Sequence, residues 1–398
     1  MGESSSGRRY EFPIFDADNH LYETRDAFTR YLPPEYEGLI GFADINGRQT
    51  LVVRNKLSFV LPNPTLEKVP PPGWYANQDS LPRIIASPPE FFEPEPRLRW
   101  MRETGIDRAV LFPTLGLSVE GRLEDPDERC AVVHAFNRWL LDQWTFGYER
   151  AIYAAPLVSL SRIDRALEEL EWVVGHGAPL IYVQPGFVVT ERGRASMALP
   201  EFDPFWRAVE DAGVMVAMHA GDGGQDRYLN EWEGTPGADT EYFKKRSRES
   251  AAFRAFMGVY DRITTDLVGS MICHGMLTRF PKLTVLLAEQ ATGWVRPTVT
   301  RLEEMWSTGR HLLDEHPMDV FRRSLKVHLF MDRDPVGLAR QLGSDVVVFG
   351  SDFPHPEGQA NPLDFADRLD GLSHDDVTRI MGGTLARVMD AALGATAP

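Results

Sequence analysis

Short runs of apolar and β-branched residues recur along the chain, and stretches with helical apolar spacing separate most of them. Continuous apolar strands between helices are typical of a parallel sheet that is covered on both faces. Eight such runs predict an α/β protein with a closed (β/α)8 TIM barrel. The runs are Ile14 to Asp18, Ala109 to Pro113, Tyr153 to Val158, Leu180 to Gln184, Val214 to His219, Thr284 to Glu289, Val327 to Asp332 and Val346 to Asp352.

Helical patterns fill most of the intervals between these strands. We predict one barrel domain over residues 12–398, preceded by a flexible tail over residues 1–11. The clearest helices are predicted at Asp127 to Phe146, Ile163 to Val174, Asp203 to Ala212 and His374 to Leu393, and a further helix begins within Glu241 to Tyr260.

One segment, residues 38–96, interrupts the alternation of strands and helices. It contains a hairpin signal at Asn46-Gly47 and then a Pro-rich passage. An insertion after the first strand of a barrel emerges where the strands end, at the face that carries active sites. We therefore predict a cap over the substrate entrance, with a packing or subunit-contact excursion as the alternative.

The composition narrows the class of protein. The chain has 398 residues, 43% of them hydrophobic and 25% charged, which suits a globular domain. Its net charge of -16 argues against a nucleic acid or an anionic membrane as partner. No apolar run approaches the ~20 residues of a membrane helix. Because Cys130 and Cys273 are too few for a disulfide framework, we expect a cytoplasmic protein.

Side chains that bind metals stand at the ends of three predicted strands. Asp18 and His20, two residues apart, share one face of the first strand, while His219 ends the fifth and Asp352 the eighth. Singly, each has a structural explanation, such as a helix cap or a core histidine. Their coincidence at the carboxyl ends of barrel strands favours a metal site. Asp16 is the alternative carboxylate on the first strand.

Taken together, these motifs resemble the amidohydrolase superfamily, in particular the branch that contains aminocarboxymuconate semialdehyde decarboxylase and the aromatic non-oxidative decarboxylases. The resemblance implies one metal ion surrounded by the strand-end residues, with His274 directed toward substrate. The residues that carry it are Asp18-Asn19-His20, His219, His274-Gly275, Arg279-Phe280-Pro281-Lys282-Leu283 and Gly350-Ser351-Asp352-Phe353-Pro354-His355, and the implied metal ligands are Asp18, His20, His219 and Asp352.

Two details refine the implied metal site. Many relatives have His-x-His on the first strand, whereas this chain has Asp18-Asn19-His20, closer to the Glu-x-His of some aromatic decarboxylases. The fourth strand ends Tyr182-Val183-Gln184, without the lysine that bridges two metals in binuclear relatives, which implies a mononuclear site. With oxygen and nitrogen ligands, Zn²⁺ and Mn²⁺ are the expected ions, and the extra carboxylate favours Mn²⁺.

Two reactions fit such a site. The resemblance favours non-oxidative decarboxylation of a small aromatic or unsaturated carboxylic acid, and metal-dependent hydrolysis of a lactone, amide or ester is the alternative. Asp352 and His274 are the expected catalytic residues in both. A barrel that only binds a metal or ligand is a third hypothesis, although it predicts the loss of these two residues, and both are present.

Several further residues are candidates for contact with a small carboxylate or carbonyl substrate. Aromatic cap residues can stack on a planar substrate and an arginine can clamp a carboxylate, while cap packing and a solvated surface are the alternatives. Glu289 is expected at the rim, in contact with substrate or behind the metal. The candidates are Trp74, Tyr75, Arg83, Glu289 and His355. The resemblance also implies a homodimer or higher oligomer.

Overall fold

The computed structural model describes residues 10–45, 48–58, 65–74, 84–221, 232 and 248–395. Within these residues, eight parallel strands form the centre of the fold, and each is almost wholly buried. They are Phe15–Leu21, Arg108–Pro113, Ile152–Ala154, Leu180–Tyr182, Met215–His219, Val285–Ala288, Leu325–His328 and Val347–Val348, called the first to eighth barrel strands below.

Backbone hydrogen bonds close these strands into a ring. The first three strands pair in chain order, and so do the fourth to eighth. The third joins the fourth where Tyr182 donates its N–H to the Pro156 carbonyl at 2.7 Å. The eighth joins the first where Ala17 donates to the Phe349 carbonyl at 2.9 Å, beside a parallel bridge between Asn19 and Phe353. The predicted barrel is therefore confirmed.

Helices connect the strands and cover the ring. Amphipathic faces such as that of Asp203–Ala212 bury their apolar residues, here Phe205, Trp206 and Val209, against the strands. In the described residues, the α-helices are Pro94–Thr104, Gly116–Val119, Pro126–Trp144, Ile163–Gly175, Asp203–Ala212, Arg248–Met257, Val259–Cys273, Met276–Arg279, Val295–Gly309, Pro317–Ser324, Pro335–Leu342, His374–Thr378 and Thr384–Ala395. None of the described helices is both long and apolar enough to cross a membrane.

The segment after the first strand forms small antiparallel sheets. Ile40–Ile45 pairs with Arg48–Val53, as the hairpin signal predicts, and Lys56–Ser58 adds a third strand. Lys68–Val69 pairs with Ile85–Ala86. Asn46 and Gly47 themselves lie outside the described residues.

This segment also contacts the loop that follows the eighth strand. A Cβ atom on Gly73, whose φ is +73°, would lie 2.5 Å from the Cβ of Ala360. Only glycine permits so close an approach with this backbone conformation. The insertion therefore lies beside the carboxyl ends of the barrel strands, and its role as a cap stays a prediction.

One predicted strand is displaced in the structure. The seventh barrel strand ends at His328, whereas the apolar pattern predicted Val327 to Asp332. The reason is that the apolar residues Leu329 to Met331 continue the pattern past His328, whereas the chain turns there and Met331 has a φ of 49°. Asp332 instead lies in the following turn, where it accepts a hydrogen bond from Thr292. Because the predicted strand ended at Asp332, the sequence did not indicate His328 as a strand-end ligand.

Candidate metal centre

Six side chains with metal-binding atoms meet at the carboxyl ends of the strands, which we call the rim. The fifth and sixth strands pair so that His219 lies opposite Ala288, which brings the next residue, Glu289, beside it. We call five of the six the ligand cluster, namely Asp18, His20, His219, Glu289 and Asp352. The sixth is His355.

The donor atoms of the ligand cluster are spaced as ligands of a single ion would be. His219 Nε2 lies 3.1 Å from His20 Nε2, 3.1 Å from Asp18 Oδ1 and 3.0 Å from Glu289 Oε2. His20 Nε2 lies 3.4 Å from Asp18 Oδ1 and 3.3 Å from Asp352 Oδ1. The ligand atoms of Asp18, His20, His219 and Glu289 all lie within 4.8 Å of one another, and so do those of His20, Glu289, Asp352 and His355. A divalent cation could be held among them.

Backbone carbonyls fix which ring nitrogens face this volume. His219 Nδ1 lies 2.6 Å from the Ala220 carbonyl, and His20 Nδ1 lies 3.2 Å from the Pro113 carbonyl. Because a carbonyl can only accept, each Nδ1 carries a hydrogen, and the Nε2 atom of each ring faces the cluster. Ligand histidines are commonly oriented in this way.

In the cluster, carboxylate oxygens outnumber the groups that can donate a hydrogen bond to them. Asp352 is fully buried, and neither of its carboxylate oxygens receives a hydrogen bond from the described residues. Buried carboxylates without donors are costly unless a cation compensates them. The residues present therefore fit a divalent metal ion.

The charges of the cluster also favour a bound cation. Burial lowers the pKa of His219, but the carboxylates of Asp18 and Glu289 outweigh burial and raise that pKa to about 10. Burial, together with the charges of Glu289 and Asp18, raises the pKa of Asp352 well above its usual range. The excess of negative charge thus attracts a cation, which a proton or a metal ion can supply.

Two members of the ligand cluster have strained backbones. Glu289 has a φ of 48° and Asp352 a φ of 56°, in the left-handed region that residues with a Cβ rarely adopt. Such strain is costly, persists only where the surroundings impose it, and concentrates at functional sites. Here it turns both carboxylates toward the same volume.

A second group of polar residues, which we call the supporting layer, lies behind the ligands. Asp16 accepts hydrogen bonds from the backbone N–H of Asp18 at 3.1 Å and of Ser351 at 2.8 Å. It also accepts from the Asn19 amide at 2.8 Å and from the Ser351 hydroxyl at 2.5 Å. Asp16 thus ties the first strand to the eighth and is not a member of the cluster, which resolves the choice between Asp16 and Asp18.

Arg97 completes the supporting layer. This fully buried guanidinium donates to the Asn19 side chain at 2.5 Å, to the His20 carbonyl at 2.7 Å and to the Glu90 carbonyl at 2.8 Å. It also lies 5.0 Å from the ring centroid of Phe353. Its positive charge and fixed donors hold the strand that carries Asp18 and His20.

His328, which the sequence analysis missed, braces three strands of the rim. Its Nε2 donates to the Gly350 carbonyl at 3.0 Å, and its Nδ1 accepts from the Glu289 N–H at 3.3 Å. The same Nδ1 lies 3.0 Å from Asp18 Oδ2. A histidine at the end of a strand was the available signal, as it was for His219.

His355 lies beside the ligand cluster and contacts Asp352. Its Nδ1 is 2.8 Å from Asp352 Oδ1, and its Nε2 is 3.0 Å from the Thr114 hydroxyl. That hydroxyl donates to the Leu21 carbonyl at 2.9 Å, so it must accept from His355 Nε2. A neutral His355 therefore faces Asp352 with a lone pair, and a single proton can be shared between the two residues.

The structure does not bring His274 to the rim. Its helix, Val259–Cys273, begins near the rim, where Asp261 accepts from the Trp294 N–H at 3.0 Å. Fifteen residues at about 1.5 Å each place the other end roughly 20 Å away. There His274 is exposed beside a groove lined by Leu312 and other surface residues. The predicted catalytic role of His274 is corrected accordingly.

The residues predicted to contact substrate lie in different parts of the structure or outside the described residues. Trp74 is half-buried and follows Gly73, close to the loop after the eighth strand, so its contact with substrate stays a prediction. Tyr75 and Arg83 lie outside the described residues. Glu289 lies in the ligand cluster itself and His355 adjoins it.

Comparisons with known proteins indicate which family and which solved structures this chain is similar to. The amidohydrolase family model matches residues 15–390. An amidohydrolase from Mycobacterium avium subsp. paratuberculosis K-10 is 30% identical, with a TM-score of 0.87 over 96% of this chain and 100% of its own. Among curated proteins, none matches this chain significantly.

More distant solved structures share the fold. A dihydroxybenzoic acid decarboxylase from Polaromonas sp. JS666, with bound manganese and the inhibitor 2-nitroresorcinol, is 14% identical with a TM-score of 0.59 over 95% of this chain and 97% of its own. A 2,6-dihydroxybenzoate decarboxylase from Rhizobium is 15% identical, with a TM-score of 0.58 over 96% and 99% of the two chains.

Proposed function

This chain belongs to the amidohydrolase family, and on that premise we propose that it is a metal-dependent carboxy-lyase. Its substrate would be a small aromatic or unsaturated carboxylic acid. Support comes from the carboxylate-x-His pair on the first strand and from the decarboxylases among its structural neighbours. The observation that carries the proposal is the 2.8 Å contact between His355 Nδ1 and Asp352 Oδ1, directly beside the metal-binding atoms.

Asp18, His20, His219 and Asp352 would hold the metal ion in this proposal. A bound divalent ion would supply Lewis acidity that polarises a substrate oxygen near the carboxyl group. The closed barrel and the insertion beside the rim keep bulk water from the cluster, which is itself buried.

The reaction needs one proton at carbon. As the bond between the substrate carbon and its carboxylate breaks, carbon dioxide leaves and the electron pair stays on the carbon. The Asp352–His355 pair delivers its shared proton to that carbon and later recovers one from water. His355 can hold the pair in place because Thr114 fixes its other ring nitrogen.

The experiment that tests this proposal compares two substrate panels with the metal-loaded enzyme. We expect carbon dioxide release from hydroxybenzoates and related acids, and no hydrolysis of lactones, amides or esters. Hydrolysis without carbon dioxide release would favour the alternative, in which the same pair accepts a proton from water. Metal binding without either activity would favour a barrel that only binds a ligand.

Variants of His355 separate proton transfer from metal binding. His355→Asn removes the ring that shares a proton with Asp352, so we expect kcat to fall by about a hundredfold while the metal content stays near one ion per chain. The exposed His374 provides a matched control, since His374→Asn should change neither quantity. An unchanged kcat in His355→Asn would remove the proposed proton donor.

We also propose that the protein acts in the cytoplasm as a homodimer or higher oligomer. The described cysteines, Cys130 and Cys273, form no disulfide, which suits a reducing compartment. Light scattering on the purified protein tests the oligomeric state, and a single-chain mass would refute it.

A further inference from the structure

We propose that Glu289 is a direct metal ligand, so that three carboxylates and two imidazoles bind one ion and favour Mn²⁺ over Zn²⁺. The sequence analysis placed Glu289 only near substrate or behind the metal. The inference depends on the presence of the metal site and not on which reaction the enzyme catalyses.

The first argument is the position of the Glu289 carboxylate. Glu289 Oε2 lies 3.0 Å from His219 Nε2, the ring nitrogen that faces the cluster. The donor atoms of Asp18, His20, His219 and Glu289 all lie within 4.8 Å of one another. Glu289 is therefore as close to the centre of the cluster as the residues that the family resemblance implies.

The second argument is the backbone that carries this side chain. Glu289 follows the sixth strand directly, and its φ of 48° is unfavourable for a residue with a Cβ. The hydrogen bond from its N–H to His328 Nδ1, at 3.3 Å, holds that conformation. A carboxylate that served only at the surface would gain nothing from this strain.

The third argument concerns the charge around Glu289. Its side chain is 16% exposed, and no lysine or arginine among residues 10–45, 48–58, 65–74, 84–221 and 248–395 forms an ion pair with it. Asp352, whose oxygens receive no hydrogen bond within the described part of the chain, offers a ligand atom in the same group as Glu289. A cation bound between them would compensate both charges.

The donor set determines which cation is favoured. The two groups of metal-binding atoms share His20 and Glu289, and together they offer the carboxylate oxygens of Asp18, Glu289 and Asp352 beside imidazole nitrogens, without a thiolate. Carboxylate-rich sites with more than four ligands suit Mn²⁺, whereas Zn²⁺ prefers four ligands and more nitrogen or sulfur. Removing Glu289 should therefore cost Mn²⁺ more affinity than Zn²⁺.

The test measures metal affinity in the full-length protein by competition with a chromophoric chelator, first for Mn²⁺ and then for Zn²⁺. We expect Glu289→Gln to weaken Mn²⁺ binding by at least about tenfold and Zn²⁺ binding by less. Glu357→Gln is the matched control. It removes one negative charge near the site, as Glu289→Gln does, but Glu357 is outside the groups of metal-binding atoms. We expect that control to stay within about twofold for both ions.

A second variant separates direct ligation from charge. Glu289→Asp keeps the charge but withdraws the oxygen by one methylene, so we expect it to lose Mn²⁺ affinity as well. Wild-type Mn²⁺ affinity in either Glu289 variant, or equal losses in Glu289→Gln and Glu357→Gln, would overturn the ligand assignment. Equal losses for the two metals in Glu289→Gln would overturn the preference for Mn²⁺. Circular dichroism with a thermal melt verifies that each variant is folded.

Discussion

The ligand cluster and the supporting layer are both buried and polar, yet their hydrogen bonding differs completely. In the supporting layer, Asp16 accepts hydrogen bonds from four groups, and Arg97 donates to three oxygens. In the ligand cluster, by contrast, His20 Nε2 and His219 Nε2 lie among carboxylate oxygens, and Asp352 receives no hydrogen bond from the part of the chain that the structure describes. Asp16 and Asp18, two residues apart on one strand, fall on opposite sides of this division.

The contrast distinguishes buried polar groups that stabilise the fold, in the supporting layer, from those that can bind a ligand, in the ligand cluster. A buried polar group normally has its partner within the protein, since an unpaired one costs about 1–3 kcal/mol. The supporting layer follows that rule and needs nothing from outside. The ligand cluster contains buried carboxylate oxygens without such partners, and a bound cation would compensate them.

The largest effect should follow from truncating a metal ligand. His219→Ala removes a nitrogen at the centre of the cluster, so we expect loss of the bound metal and a fall in kcat of roughly a thousandfold or more. Metal analysis of the purified variant and steady-state kinetics provide the measurement. The exposed His374→Ala is the control, and a His219→Ala variant with normal metal content would contradict the cluster.

Removing the positive charge of Arg97 from the supporting layer should instead lower the free energy of unfolding. Arg97→Met leaves the Asn19 side chain and the His20 carbonyl without their donor, so we expect the free energy of unfolding to fall by about 3 kcal/mol. Urea denaturation measures this change. Arg99, whose side chain is 65% exposed, is the matched control, and Arg99→Met should cost less than about 0.5 kcal/mol. Equal stability of the two variants would refute the structural role of Arg97.

A smaller effect is expected where the two regions meet. Ser351→Ala removes a hydroxyl that donates to Asp16 and accepts from the Phe353 N–H, next to Asp352. We expect about 1–2 kcal/mol lower stability and metal affinity weaker by about tenfold. Denaturation and chelator competition on one preparation measure both. Unchanged metal affinity would mean that the supporting layer does not position the ligands.

Much of the site was predictable from the sequence because barrel topology converts strand ends into neighbours. Asp18 and His20 lie within the first strand, His219 ends the fifth and Asp352 follows the eighth, so the strand pattern indicated that they lie near one another. The choice between Asp16 and Asp18 was not predictable. The pairing of the first strand shifts between Asp16 and Asn19, so simple alternation of side chains fails at that point.

The errors have equally specific causes. The apolar residues Leu329 to Met331 extend the pattern of the seventh strand past His328, so the predicted strand ended at Asp332. His274 was assigned from its motif, although it ends a helix and not a strand, and the barrel places that end away from the rim. The direction of Glu289 depends on a positive φ that its residue type does not signal.

One measurement tests the division between cluster and supporting layer most directly: the metal content and unfolding free energy of Asp18→Asn beside Asp16→Asn. The two substitutions are chemically identical and two residues apart. We predict that Asp18→Asn loses most of the approximately one Mn or Zn ion per chain, whereas Asp16→Asn retains the metal and unfolds more easily. Retention of metal in Asp18→Asn, or its loss only in Asp16→Asn, would contradict the assignment of the two residues.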